Sequence, residues 1–273
     1  MAKQRLDTLL AERGLFESRS RAAASVMAGD VLLGEQERQA QKPGEMVASD
    51  VLIRVRAQPR YVSRGGIKLD NALLRTEIDV AGRVALDVGA STGGFTDCLL
   101  QRGAAEVIAV DVGYGELAHR LRTDPRVHVL ERTNARALAP AMLPAVPNLA
   151  VVDVSFISLT KVLPAVLACL AAPYDVLALV KPQFEAPRAS VGKGGVVRDA
   201  AARLAALVAV GRAAVAIDSP SGPPAVLGFR SSGLPGPKGN RETFIWLAPP
   251  GPAGGVRGAE EIERMALVEE RPA

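Results

Sequence analysis

From residue 68 onward, short apolar runs alternate with helical patterns, and no other feature restricts the fold as much. VALDVG, EVIAVDVG, VHVLE, LAVVDVS and DVLALVKP read as strands. GFTDCLLQRG, ELAHRLR, LTKVLPAVLACL and an Ala-rich run from Asp199 read as helices. A strand that is apolar along its whole length needs cover on both faces. Strands of that kind separated by helices predict a doubly wound parallel sheet, an α/β fold. The last two runs, AVLGFRSS and ETFIWLAP, have no helical pattern between them and predict an antiparallel hairpin at one end of the sheet.

The N-terminal quarter differs. Residues 1–68 hold twelve Lys/Arg against eight Asp/Glu, whereas the remainder holds 21 of each. The whole net charge of +4 therefore lies in the first quarter, which points to a polyanionic partner, nucleic acid first. Two short helices are expected there. One carries Leu6, Leu9 and Leu10 and stops at Gly14; the other is capped by Ser18 and stopped by Gly29. VLLG and MVASDVLIRV are expected as strands flanking the polar stretch EQERQAQKPGE. This gives a small module over residues 1–58, a linker over 59–66, a large domain over 67–249 and a Pro/Gly-rich tail over 250–273.

Several classes are disfavoured. Cys98 and Cys169 fall in apolar helical runs, as buried thiols of a reducing compartment do, and their separation gives no zinc spacing, so no metal is expected. MAKQRLDTLL lacks the apolar centre of a secretory signal, and no run is long enough to span a membrane. A cytoplasmic monomer that does not engage membranes is expected.

LDVGASTGGFTDCLL, residues 86–100, is the first strand, its turn and the following helix. Ligands of doubly wound sheets lie at the carboxyl ends of strands, and Gly89, Gly93 and Gly94 let the backbone approach one. No Lys follows the glycines, which disfavours a nucleoside triphosphate. Ser91 stands where a dinucleotide fingerprint needs its middle glycine, which disfavours a nicotinamide oxidoreductase. S-adenosylmethionine, with no phosphate, needs neither. Asp87 is expected to face its ammonium group, and Asp111, 24 residues on, its ribose diol. Asn134 is expected at the adenine edge. Ala90 and Phe95 complete the turn as cofactor-binding residues, with Asp153 shared.

Four polar residues, Lys68, Asp153, Lys181 and Glu242, interrupt apolar runs or flank them. Gathered in one crevice, two lysines and two carboxylates suit methylation of a hydroxyl. A neutral lysine takes the proton as the oxygen attacks, provided burial or a neighbouring cation favours its uncharged form. Lys181 is expected in that role beside Lys68, with both carboxylates orienting the ammonium groups. If no base is needed, the same four residues still position the hydroxyl.

These motifs together resemble the TlyA family of S-adenosylmethionine-dependent ribosomal RNA 2′-O-methyltransferases, also labelled hemolysins. The resemblance rests on RLDTLLAERGLFESRSRAAASVMAGDVLL, VSRGGIKLDNAL, LDVGASTGGFTDCLLQRGA, VDVGYGELAHRLRTDPRV, ERTNAR, VVDVSFISL, LVKPQFE and SGLPGPKGNRETFIWL, in family order. It implies a Rossmann-like class I methyltransferase domain behind a small S4-type α/β RNA-binding domain. It also implies a catalytic tetrad at Lys68, Asp153, Lys181 and Glu242. The implied substrate is cytidine ribose in large-subunit rRNA, and in small-subunit rRNA for the longer subtype. RNA contacts are implied at Arg5, Arg19, Arg21 and Lys42, with Arg60 and Arg64 in the linker. Phe156 is expected to stack on the target nucleotide or the cofactor, or else to be core. The competing readings are an RNA-binding assembly factor with a vestigial cofactor site and a membrane-lytic hemolysin.

Overall fold

In the computed structural model, residues 3–56, 60–251 and 255–270 are described. The chain divides into two compact units, Met1–Pro59 and Arg60–Ala273. The first contains β1 (Lys3–Arg5), α1 (Leu6–Glu12), α2 (Arg19–Ala28), β2 (Val31–Leu33), β3 (Arg38–Gln39), β4 (Met46–Ala48) and β5 (Ile53–Val55). The Ser18 hydroxyl accepts from Arg21 N–H at 3.3 Å and so caps α2, while Gly29 closes that helix in the left-handed region at φ 81°. Leu6, Leu9 and Leu10 of α1 pack with Ala22 and Val26 of α2 and with Val31, Leu33 and Val47.

MVASDVLIRV is not one strand. Beyond Ala48 the chain turns, with Val51 N–H bonded to Ala48 C=O, and Arg13 donates to the carbonyls of Ser49 and Val51 at 2.7 Å each. The two halves join different sheets: β4 pairs with β1, and β5 with β2. Neither β1 nor β3 carries a local pattern strong enough to predict it.

The second unit contains α3 (Arg64–Thr76), β6 (Val84–Val88), α4 (Gly94–Gln101), β7 (Glu106–Val110), α5 (His119–Arg122), β8 (Val127–Leu130), β9 (Leu149–Val152), α6 (Leu163–Ala168), β10 (Asp175–Val180), α7 (Pro182–Glu185), α8 (Ala200–Val215), β11 (Ala225–Ser231), β12 (Thr243–Ala248) and α9 (Ala259–Glu270). Seven strands form one sheet in the order β11-β12-β10-β9-β6-β7-β8. From β10 to β8 all neighbours are parallel, and β12 runs antiparallel to both β10 and β11, the predicted terminal hairpin. Alternate residues of each strand face opposite cores, because side chains of a strand point to opposite faces. Leu86, Val88, Ile108, Ala150 and Val152 pack under α6, α8 and α9. Ala85, Val107, Ala109, Leu149 and Val151 pack under α3, α4 and α5.

Two expected boundaries move. Pro59 lies outside the described residues, but the rest of the expected linker is built into the second unit. Tyr61 is a core residue, Val62 N–H donates to Asp97 Oδ2 at 2.8 Å, and Ser63 caps α3, so Arg64, Gly65 and Gly66 are helical. Glycine content suggested a linker, yet these glycines serve close packing: a Cβ on Gly66 would lie 2.3 Å from the Tyr61 ring. The expected tail is not a mere appendage either. Helix α9 buries Ile262 and Ala266 against α8, and Arg203 bonds Glu270 at 3.0 Å. Among the described residues no helix is long and apolar enough to cross a membrane, and no cluster of His, Cys, Asp and Glu forms a metal site. Both cysteines are buried free thiols, and burial pushes that of Cys98 up to about 12.

Candidate active site

The strand register assembles the site. Val88 of β6 pairs with Val152 of β9, and Val180 of β10 pairs with Thr243 of β12. One step beyond these pairs stand Gly89, Asp153, Lys181 and Glu242. Four neighbouring strands therefore deliver the glycine turn and three of the four singled-out polar residues to one edge of the sheet. Helix α3 supplies the fourth, Lys68.

The turn after β6 fits against its neighbour without slack. A Cβ at Gly89 would sit 2.4 Å from the Asp153 carbonyl oxygen, and Gly89 has φ 87°, so only glycine suits both the space and the backbone. Ser91 adopts φ 47° despite its side chain, which bonds Glu116 at 3.2 Å. Its N–H donates to Asp111 Oδ2 at 2.7 Å, and Gly113 N–H donates to Asp111 Oδ1 at 2.7 Å. Asp111 is thus fixed by backbone donors, and each oxygen keeps acceptor capacity for a ligand hydroxyl. Asn134 is fixed similarly, its Oδ1 accepting from Arg136 N–H at 3.0 Å. A cavity of about 450 Å³ is lined by Gly89, Ser91, Asp111, Asn134, Asp153 and Phe156, among others.

A second cavity, of about 380 Å³, adjoins the first at the turn. Its wall includes Lys68, Ala90, Gly94, Phe95 and Arg64, and it shares Gly89, Ser91 and Asp153 with the first. Lys68 Nζ donates to Glu242 Oε2 at 2.5 Å, and both side chains are nearly sealed from solvent. Lys181 Nζ lies 2.6 Å from Asp153 Oδ1 and donates to Ser155 Oγ at 2.9 Å. Each pair has one member on a cavity wall, Lys68 or Asp153, and its partner behind. The two lysines are therefore not simply side by side, as expected from sequence: each ammonium has its own carboxylate.

Asp87 differs from expectation. It lines neither cavity. It is wholly buried, because Thr96 of α4 donates its hydroxyl to Asp87 Oδ2 at 2.6 Å and holds the side chain between strand and helix. Among the described residues Oδ1 has no hydrogen-bond partner, and burial pushes the carboxyl up to about 7. Ser155, Glu116 and Val112, which also line the first cavity, were missed from sequence. They sit on loops whose apolar–polar pattern does not distinguish them from ordinary surface.

The residues expected at RNA fall in both units. In the first, Arg5 grips Asp7 with two bonds of 2.8 and 3.1 Å, and Arg19 reaches the same carboxylate at 3.4 Å. Those two cations hold the Asp7 carboxyl down at about 2. Arg21 pairs with Glu17 at 3.5 Å, and Lys42 is exposed. In the second unit Arg60 is bound to Asp70 at 2.6 Å and stacks over Tyr61, and Arg64 donates to Pro235 C=O at 2.8 Å. Phe156 is not core: it is 91% exposed and sits at φ 64°.

The FtsJ-like methyltransferase family model matches residues 61–213. The chain is 48% identical over 247 residues to the 16S/23S rRNA (cytidine-2′-O)-methyltransferase TlyA of Mycobacterium tuberculosis, covering 90% of each. The chain belongs to the TlyA group of FtsJ-like methyltransferases. It is also 44% identical to YqxC of Bacillus subtilis, a candidate rRNA methyltransferase, covering 98% of this chain and 94% of that one. A hemolysin candidate from Streptococcus thermophilus has the same fold, with a TM-score of 0.71 at 38% identity over 98% of this chain and 96% of that one. Within a TlyA-group chain, the family match begins at Tyr61, where the described second unit begins to pack its core.

Proposed function

We propose that the protein transfers a methyl group from S-adenosylmethionine to the 2′-hydroxyl of a cytidine in ribosomal RNA. The observation that carries this reading is the sheet edge where the pairs Lys68–Glu242 and Lys181–Asp153 flank a glycine turn between two cavities. The similarity to the rRNA (cytidine-2′-O)-methyltransferase of M. tuberculosis supports the substrate.

The residues present fit the cofactor. Gly89 leaves room that a Cβ would close, and Asp111 and Asn134 offer acceptors suited to hydroxyls and an amino group rather than to phosphate. Asp87 lies behind the turn without direct wall contact, and in its ionised form it would favour the ammonium end. When bound, S-adenosylmethionine supplies the electrophilic methyl group. Lys68, immobilised by Glu242, presents a fixed positive charge to the second cavity. Lys181 donates to Ser155 Oγ and forms an ion pair with Asp153, and an ammonium has three donors, so donor capacity remains for the ribose oxygen. In this reading a Lys181 that has given up its own proton to solvent takes the hydroxyl proton, and Asp153 steadies the ammonium so formed. Holding the oxygen in line removes several kcal/mol of barrier, on the order of 7 or more.

The first unit is an S4-like RNA-binding module in this reading, with Arg5, Arg19, Arg21 and Lys42 at phosphates. Such contacts give affinity and register rather than sequence choice. Phe156 then stacks on the base of a nucleotide turned out of its helix. Incubating ribosomal subunits with the protein and S-adenosylmethionine, then digesting the RNA to nucleosides, tests the proposal by mass spectrometry. A gain of 2′-O-methylcytidine is expected. Methyl groups only on bases, or none, would overturn it.

A further inference from the structure

The loop that follows β9 is fastened to the segment that follows β10 at three points. At its start, Lys181 holds Asp153 and Ser155. In its middle, the ring of Phe156 meets that of Phe184 at 5.2 Å between centroids, tilted by 49°. At its end, both oxygens of Glu185 are used: Oε2 accepts the Ser158 hydroxyl at 2.6 Å, and Oε1 accepts Leu159 N–H at 2.8 Å.

Phe156 sits between these fastenings at φ 64°, where a residue with a Cβ is strained, and displays its ring to solvent. Such a conformation persists only where the surroundings over-determine it. Glu185 is a costly fastening. It makes no ion pair among the described residues, and burial pushes its carboxyl above the usual range. An apolar residue with ordinary loop contacts would be cheaper if packing were the only need.

From this geometry we infer that Glu185 is a positioning residue for methyl transfer: by clamping Ser158 and Leu159 it holds the Phe156 ring at a set height beside Lys181. The inference rests on the reading of the edge as a ribose methylation site. Base and sugar of one nucleotide are joined by a single bond, so a group stacking on the base and a group at the 2′-oxygen must keep a fixed separation. Lys181 and Glu185 are four residues apart on one short segment, and that segment fixes both.

The test is a double-mutant cycle on kcat/KM for methyl transfer to ribosomal subunits, with Glu185→Ala, Phe156→Ala and the double variant. A misplaced reacting group costs roughly ten- to a hundredfold, and each single change is expected to lose at least tenfold. The double variant is expected to be no worse than the worse single one, because Glu185 acts through Phe156. Glu185→Gln, which keeps one acceptor oxygen, is expected to recover part of the activity and covers the case in which Glu185→Ala fails to fold. Hydrogen exchange at Leu159 supplies a readout independent of substrate, and it should accelerate in Glu185→Ala. Losses that multiply in the double variant, or full activity in Glu185→Ala, would overturn the inference. If the wild-type protein transfers no methyl to RNA, the functional reading itself fails; if it does and the losses multiply, only the role of Glu185 fails.

Discussion

Two ion pairs on neighbouring strands of one sheet edge carry the same chemistry with opposite polarity. In one the ammonium of Lys68 faces a cavity and the carboxylate of Glu242 lines neither cavity; the side chains are 9% and 1% exposed. In the other the carboxylate of Asp153 faces the cavities and Lys181 lines neither; the values are 22% and 12%. The sealed pair joins positions 174 residues apart and ties α3 to the start of β12. The open pair joins neighbouring strands and touches a hydroxyl as well. A sealed pair has little access to a substrate, whereas an open one has more. In the proposed function the first holds and the second serves the chemistry.

The comparison breaks most sharply if the open pair can be disabled without consequence. Asp153→Asn removes the carboxylate charge that steadies the Lys181 ammonium but keeps the shape. Methyl transfer should fall about a hundredfold or more, with the thermal midpoint little changed. The sealed pair should behave in the reverse sense. Glu242→Leu alone strands a buried ammonium and should cost about 3–5 kcal/mol of stability. Adding Lys68→Met should recover most of that loss in denaturant unfolding but not the activity. If the double variant stays as unstable as Glu242→Leu, the pair contributes more than a cancelled burial penalty.

A smaller effect comes from Asp87, the buried acid behind the turn. Its carboxyl is raised to about 7 by burial, so the folded protein holds that proton where an unfolded chain would already have lost it. The sign follows: this group favours the fold fully below about pH 4, and its contribution is lost as pH rises towards 7. Ligand binding that prefers the ionised form should then strengthen between pH 6 and 7, by up to about fivefold. Calorimetry with S-adenosylmethionine checks this, and Asp87→Asn should flatten the profile. The smallest effect is expected in the first unit. Arg19→Ala leaves Asp7 held by Arg5, so folding should persist while the slope of RNA affinity against salt falls by about one.

Much of the second unit is legible in the sequence because its signals are local. Continuous apolar strands and the glycine turn depend on neighbours a few residues away, as does the Ser18 cap in the first unit. What escaped depends on distant partners. Tyr61 and the glycines after it look like a linker until α4 supplies Asp97 and the core supplies a slot. Helix α9 looks like a fraying tail until α8 covers Ile262. MVASDVLIRV looks continuous until Arg13 bends it. In the site, the residue types and strand ends were readable, but which lysine meets which carboxylate was not, since Lys181 meets Asp153 across the neighbouring strands β10 and β9 while Lys68 reaches Glu242 from helix α3. Asp87 is instructive in the same way: a strand-end acid seems free to face a ligand until Thr96 claims it.

Single-turnover methyl transfer from labelled S-adenosylmethionine to ribosomal subunits, comparing wild type with Lys181→Ala at matched RNA occupancy, tests the division of labour between the two pairs most directly. The account predicts that the rate in the variant collapses by about two orders of magnitude or more while RNA and cofactor affinities stay near wild type. An unchanged single-turnover rate would contradict it, because the proton would then leave without Lys181.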